Sequence, residues 1–292
     1  MISAGSRDFQ VPGDARDPPQ RALLHYPCGQ PATRTRFGPY ELEVSVDGSL
    51  ARGRFPLVLI SHGSGGAPLL YRTLSLLLAR SGYIVALARH PGNTLGDNDL
   101  ADSEATLRNR PRQLIALLEA LLHDPQLAAA IADEPVTAIG HSLGGYTVLS
   151  VAGGQPWTRA GAPLAVAHDA RIGALVLMAP ACGPFLAPGA LAAVTAPILA
   201  LTAEHDLLTP DSEVRAALAA VPDPTQVTLR RVPNAGHFSF LSPFPPGIHD
   251  AQFAPAADPS GFDRERFHQC LPGLILDWIG ERRRLRGMRI GL

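Results

Sequence analysis

Five short apolar runs restrict the fold of this chain more than any other feature: residues 55–60, 83–88, 136–139, 172–178 and 198–202. None carries a charge, which is how a strand covered on both faces reads. Helical stripes lie between most of them. Leu70, Leu74, Leu77 and Leu78 form one, with Gly82 where a helix stop belongs; Leu114, Leu117, Leu118 and Leu121 form another, with Pro111 expected in its first turn. Val214, Ala217, Leu218 and Val221 make a third. Strands alternating with helices predict an α/β fold, a mostly parallel central sheet with helices on both faces. Ligands of such sheets sit at the carboxyl ends of the strands.

The remaining segments read less sharply. Residues 22–26 and 226–232 suit strands, and 40–46 alternates with period two, as a half-exposed edge strand would. Residues 1–20 are polar and proline-bearing and are expected to be irregular, and 153–168 reads as an excursion over the sheet. The stretch 239–261 is proline-rich and too long for an ordinary connector, which makes it a candidate lid. Leu271, Leu274, Ile275, Trp278 and Ile279 share a helical face that starts or kinks at Pro272, and 282–292 is an arginine-rich tail expected to be frayed and solvated. One domain over residues 1–292 is the expected organisation, since α/β domains run to ~250 residues undivided.

Composition removes several classes of function. The 25 basic residues nearly balance 26 acidic ones, so no nucleic-acid partner is expected. All the basic residues are arginine, which excludes a phosphate-loop lysine, a Schiff-base lysine and a serine–lysine nucleophile pair. Cys28, Cys182 and Cys270 have no metal-ligand spacing, and no metal is expected. Residues 172–203 lack charge over a length that would span a membrane, but Pro180, Pro184, Pro188, Gly189 and Pro197 break the run into two strands and a loop. Residues 1–8 lack a basic start followed by an apolar core, so a cytoplasmic location is expected.

The chemistry concentrates at Gly140-His141-Ser142-Leu143-Gly144, which follows one apolar run and opens a helix. A serine at so sharp a strand-to-helix turn is held in a strained conformation that lifts its Oγ clear of the sheet. A hydroxyl becomes nucleophilic only when a base takes its proton, and that base needs an acid to orient it. His237, in a turn just after the last expected strand, is the candidate base. The loop after 198–202 offers Glu204, Asp206 and Asp211, of which Asp206 has the short side chain at the strand's end; Asp169 precedes a strand instead of following one. Main-chain N–H groups of Leu143 and of Ser64, in the donor-rich loop Ser61-His62-Gly63-Ser64-Gly65-Gly66, are the candidate oxyanion donors. Tyr71, Tyr146, Trp157, Phe238 and Phe240 are candidates for an apolar acyl pocket, while His62, His90 and His141 are assigned to packing or loop hydrogen bonding.

Segments 55–66, 89–94, 140–145 and 235–241, in that order, resemble the bacterial branch of the α/β-hydrolases called dienelactone-hydrolase-like or platelet-activating-factor-acetylhydrolase-like. The resemblance spans residues 24 to 278. It implies the α/β-hydrolase fold, a Ser142–Asp206–His237 triad, the oxyanion loop at 62–65 and no cofactor. It departs from dienelactone hydrolases in carrying serine in place of cysteine, and from the acetylhydrolases in lacking a carboxylate in 178–183. The reading is of a serine carboxylester hydrolase acting on a small-molecule ester, with small to medium acyl or aryl groups, through an acyl-enzyme on Ser142. Close variants are a polyester hydrolase, or a lactonase, amidase or thioesterase of a biosynthetic pathway. A non-catalytic binding protein on the same fold is the rival from another class.

Overall fold

A computed structural model describes residues 2–248 and 253–290, with side chains as far as 285. Its centre is a ten-stranded sheet in the order β10-β9-β8-β7-β5-β6-β2-β1-β4-β3. The strands are β1 (Ser3–Val11), β2 (Gln20–Cys28), β3 (Thr33–Phe37), β4 (Tyr40–Val46), β5 (Leu57–Ser61), β6 (Ile84–Ala88), β7 (Val136–His141), β8 (Ile172–Met178), β9 (Ile198–Ala203) and β10 (Val227–Val232). From β10 to β6 every pairing is parallel, and β2 joins β6 antiparallel. The helices are α1 (Arg72–Arg80), α2 (Glu104–His123), α3 (Pro125–Ala130), α4 (Leu143–Val151), α5 (Asp211–Leu218) and α6 (Arg264–Ile290).

Pleating sends alternate residues of the central strands into two separate cores. Leu57, Leu59, Ile84, Ala86, Leu175 and Leu177 pack with α2, α4 and α5 on one face. Val58, Ile60, Val85, Leu87, Val176 and Met178 pack with α1 and α6 on the other. Both faces being covered is the reason these runs contain no charge.

Several expectations need correction. The segment read as irregular contains β1, which pairs with β2 over nine positions and also with β4. Ser6, Asp8 and Gln10 interrupt its apolar pattern, so the strand is invisible locally and is held by its neighbours. β4 is not an edge strand: β3 pairs along it, and Gly38, at φ +57°, makes the turn between them. Pro111 lies well inside α2, not in its first turn; Ser103 caps that helix by accepting the Thr106 N–H. Proline has no N–H to give the Leu107 carbonyl, and the Tyr146 hydroxyl donates to it instead at 3.0 Å. α6 begins at Arg264, runs through Pro272 and continues helically through the arginine-rich stretch, where Arg283 pairs with Glu134 at 2.8 Å. Residues 291 and 292 of that tail lie outside the described residues, as do 249–252 of the candidate lid. Among the described residues no helix is long and apolar enough to cross a membrane.

Candidate active site

β7 ends at His141 and α4 begins at Leu143, leaving Ser142 alone to make the bend with φ 54° and ψ −122°. Such a backbone costs a non-glycine residue roughly 1–3 kcal/mol and persists only where the surroundings enforce it. The enforcement is steric closeness around the two flanking glycines. A Cβ on Gly140 would sit 2.2 Å from the Gly144 carbonyl oxygen, and one on Gly144 would sit 1.9 Å from that of Ser61. No side chain fits either place.

The bend delivers Ser142 Oγ to 2.9 Å from His237 Nε2. On the other side of the ring, Nδ1 lies 2.8 Å from Asp206 Oδ2. The structure thus brings together the three side chains expected from separate loops. Glu204, Asp211 and Asp169 are turned elsewhere, to Arg231, Arg215 and Arg171. Asp206 is only 5 % exposed yet fully satisfied: Oδ1 accepts the N–H groups of Leu208 and Thr209, each at 2.8 Å. Burial alone would raise its carboxyl, but the bonds to His237 and Thr209 outweigh that and hold it below the ordinary carboxylate value. Thr209, which none of the sequence motifs above singles out, joins them. Its Oγ stands 2.7 Å from Asp206 Oδ2, 3.2 Å from His237 Nδ1 and 3.0 Å from the Ala179 carbonyl, so it locks the acid and the ring together. An aspartate with a threonine three places on, as in Asp206-Leu-Leu-Thr209, is an Asx-turn pattern that could have revealed it.

The Ser61–Gly66 loop lies against Ser142: a Cβ on Gly63 would be 3.3 Å from Ser142 Cβ. Among the described residues no backbone acceptor lies at hydrogen-bond distance from the Ser64 N–H or from the Leu143 N–H, the latter in the first turn of α4, where helix N–H groups have no intrahelical partner. A chain of buried groups fixes this loop to His237. Gly63 N–H donates to the Tyr71 hydroxyl at 3.1 Å, and that oxygen is 3.0 Å from His141 Nδ1. His141 Nε2 is 2.9 Å from the His237 carbonyl. A carbonyl only accepts, so Nε2 carries the proton and Nδ1 accepts from Tyr71. Burial, reinforced by the neighbouring His237, pushes His141 down to about 3, so the ring is neutral.

Beside these groups is an apolar cavity of about 470 Å³, lined in part by Gly63, Ser64, Tyr71, His141 and Phe238. Phe238 also sets its edge against the His237 ring, centroids 5.0 Å apart. The other three aromatic candidates lie outside the lining of this cavity, Tyr146 and Phe240 buried and Trp157 half-buried. Tyr146 stacks on Phe185 and spends its hydroxyl on Leu107; Phe240 packs between His141 and Phe267; Trp157 packs against the α2–α4 core. In their place Leu241, Phe244 and Phe253, from the proline-rich segment, form part of the wall. His62 and His90 are buried at hydrogen-bond distance from the Gly63 carbonyl and Ser61 Oγ, in packing and loop roles. Among the described residues no three His, Cys, Asp or Glu side chains cluster to hold a metal ion.

A parallel sheet flanked by helices, with a strained serine at the carboxyl end of a central strand, is the α/β-hydrolase fold. Comparison with known proteins agrees. A family model described as platelet-activating factor acetylhydrolase, isoform II, matches residues 22–102, the part that contains the Ser61–Gly66 loop. The structure of a ferulic acid esterase from Streptomyces cinnamoneus superposes with a TM-score of 0.71 at 19% identity, covering 94% of this chain and 87% of that one. A search of curated proteins finds no match.

Proposed function

We propose that this chain is a serine carboxylester hydrolase that works through an acyl-enzyme on Ser142. His237 Nε2 takes the hydroxyl proton as Oγ attacks the ester carbonyl, then returns it to the departing alcohol. Asp206 holds Nδ1–H toward itself and stabilises the imidazolium that forms. The N–H groups of Leu143 and Ser64 receive the oxyanion, each such donor being worth on the order of 3 kcal/mol in the transition state. Water then repeats the sequence to release the acid.

One observation carries the reading: a serine at φ 54° with its Oγ 2.9 Å from a histidine whose far nitrogen is 2.8 Å from a buried carboxylate. A protein that only binds its ligand has no use for strain of about 1–3 kcal/mol at that point. The apolar cavity beside Gly63 supports an acyl or aryl group of small to medium size, and the ferulic acid esterase neighbour recommends aryl esters among the first substrates. The test is hydrolysis of p-nitrophenyl esters of increasing acyl length by the wild type and by Ser142→Ala. Turnover that peaks at one length and vanishes in the variant supports the reading. Equal turnover in Ser142→Ala overturns it, and a flat length profile overturns the discrete acyl pocket.

A further inference from the structure

Behind the oxyanion loop is a buried cation that the reaction just described does not use. Arg110, on α2, is 1 % exposed, and among the described residues no carboxylate pairs with it. All three of its nitrogens are engaged, and every partner is neutral. Nε donates to Thr147 Oγ at 3.0 Å, Nη1 to Asn93 Oδ1 at 2.7 Å, and Nη2 to Ser61 Oγ at 3.2 Å and to the His62 carbonyl. Burying an ion without a counter-ion costs several kcal/mol, and apolar replacements of similar volume are often as stable or more so. Packing alone therefore gives poor reason for an arginine here.

The partners supply the reason, because they belong to the two walls from which the oxyanion donors come. Ser61 and His62 lead directly into Ser64. Asn93, gripped through its oxygen, uses its amide nitrogen to donate to Ser64 Oγ at 3.1 Å and to Asn98 Oδ1 at 2.7 Å. On the opposite wall, Thr147 donates its hydroxyl to the Leu143 carbonyl at 2.9 Å. One rigid planar group thus spans from the Ser64 loop to the first turn of α4. Burial pushes the Arg110 guanidinium down to about 9, still above neutral pH, so the charge is retained. A fixed positive charge behind those amides has the sign that favours a developing oxyanion.

We infer that Arg110 is a positioning residue that sets the spacing between the Ser64 and Leu143 amides, and so the fit of the pocket to an oxyanion. The inference rests on the ester-hydrolase reading and deepens it. Lysine keeps the charge but not the planar fork, so it should restore only part of the effect.

The test uses the full chain carrying Arg110→Met or Arg110→Lys, checked for native circular dichroism, with Ser142→Ala alongside. For p-nitrophenyl butyrate, kcat should fall roughly 10- to 100-fold in Arg110→Met, the scale of a small misplacement of catalytic groups, with KM within about twofold. Arg110→Lys should fall between. A trifluoromethyl ketone of matching chain, which becomes an oxyanion when Ser142 adds to it, should lose affinity by the same factor as kcat. The corresponding alcohol, which forms no oxyanion, should bind unchanged. Ketone affinity that is unchanged in a folded variant overturns the inference, as does a loss shared equally by ketone and alcohol. Where Arg110→Met does not fold, Asn93→Ala cuts only the branch to Ser64 and should still weaken the ketone several-fold; no change there overturns the inference as well. Ser142→Ala separates the two claims. If it leaves turnover intact, the hydrolase reading fails; if it abolishes turnover while the Arg110 and Asn93 variants match the wild type, only the role of Arg110 fails.

Discussion

Removing one oxygen, by Tyr71→Phe, tests how the Ser61–Gly66 loop is tied to the His237 ring. Tyr71 is 2 % exposed, and its hydroxyl serves two buried groups, the Gly63 N–H at 3.1 Å and His141 Nδ1 at 3.0 Å. Phenylalanine preserves the packing but leaves both without a partner. Each orphaned buried group costs about 1–3 kcal/mol, so the pair costs about 2–5 kcal/mol after allowing for the hydroxyl no longer buried. Against a total stability of about 5–15 kcal/mol that is a large fraction. At about 2–4 °C per kcal/mol, Tm should drop by roughly 4–20 °C. A released Gly63 N–H also frees the loop next to Ser142, so kcat for p-nitrophenyl butyrate should fall at temperatures where the variant is fully folded. Urea unfolding followed by circular dichroism measures the first effect, and initial rates measure the second. A stability change under about 0.5 kcal/mol, with kcat intact, would refute the claim that this hydroxyl links loop to base.

Two further outcomes follow from the same geometry. Asp206→Asn should lower kcat about 10⁴-fold with little change in KM, because an amide facing Nδ1 favours the tautomer whose Nε2 already holds a proton; a loss under tenfold in steady-state assays contradicts the role given to Asp206. Acid should unfold the protein early. Burial, as the leading cause, pushes His25, His62 and His141 down to about 3 and His90 well below its ordinary value of 6.5. These rings are neutral when folded and protonated when unfolded, so stability is complete above about pH 6.5 and is lost as pH falls toward 3. At pH 5 each of the rings held at about 3 costs about 2 kcal/mol, and His90 acts in the same direction, which is a large part of the stability of a domain. Thermal melts from pH 7.5 to 5 should show a steep fall in Tm; a Tm constant over that range contradicts the assignment of neutral buried rings.

How much of this is legible in the sequence depends on whether the signal is local. β5 to β9 can be read directly because strands buried on both faces admit no charge. The bend at Ser142 can be read because it needs glycine on both sides at fixed spacing. Ser142, Asp206 and His237 follow the carboxyl ends of β7, β9 and β10, which is why topology alone suggests that they meet. β1 cannot be read that way, since Ser6, Asp8 and Gln10 break its pattern and its pairing partners lie elsewhere in the chain. Pro111 looks like a helix start because the hydroxyl that compensates for it comes from Tyr146, distant in sequence. Arg110 carries no mark in the local sequence for the same reason: Ser61, His62, Asn93 and Thr147 gather around it only in three dimensions. The aromatic residues show the limit most plainly. Tyr71 and Phe238 face the cavity while Tyr146, Trp157 and Phe240 face the core, and ring chemistry is the same in both settings.

The account turns on Ser142 Oγ being a nucleophile in the folded protein. The direct measurement is mass spectrometry of the native chain after brief exposure to a fluorophosphonate, with the adduct located by peptide mapping. A single adduct on Ser142, absent from the unfolded chain and from His237→Ala, is the predicted result. No adduct on folded protein, or one on a different serine, would contradict the account.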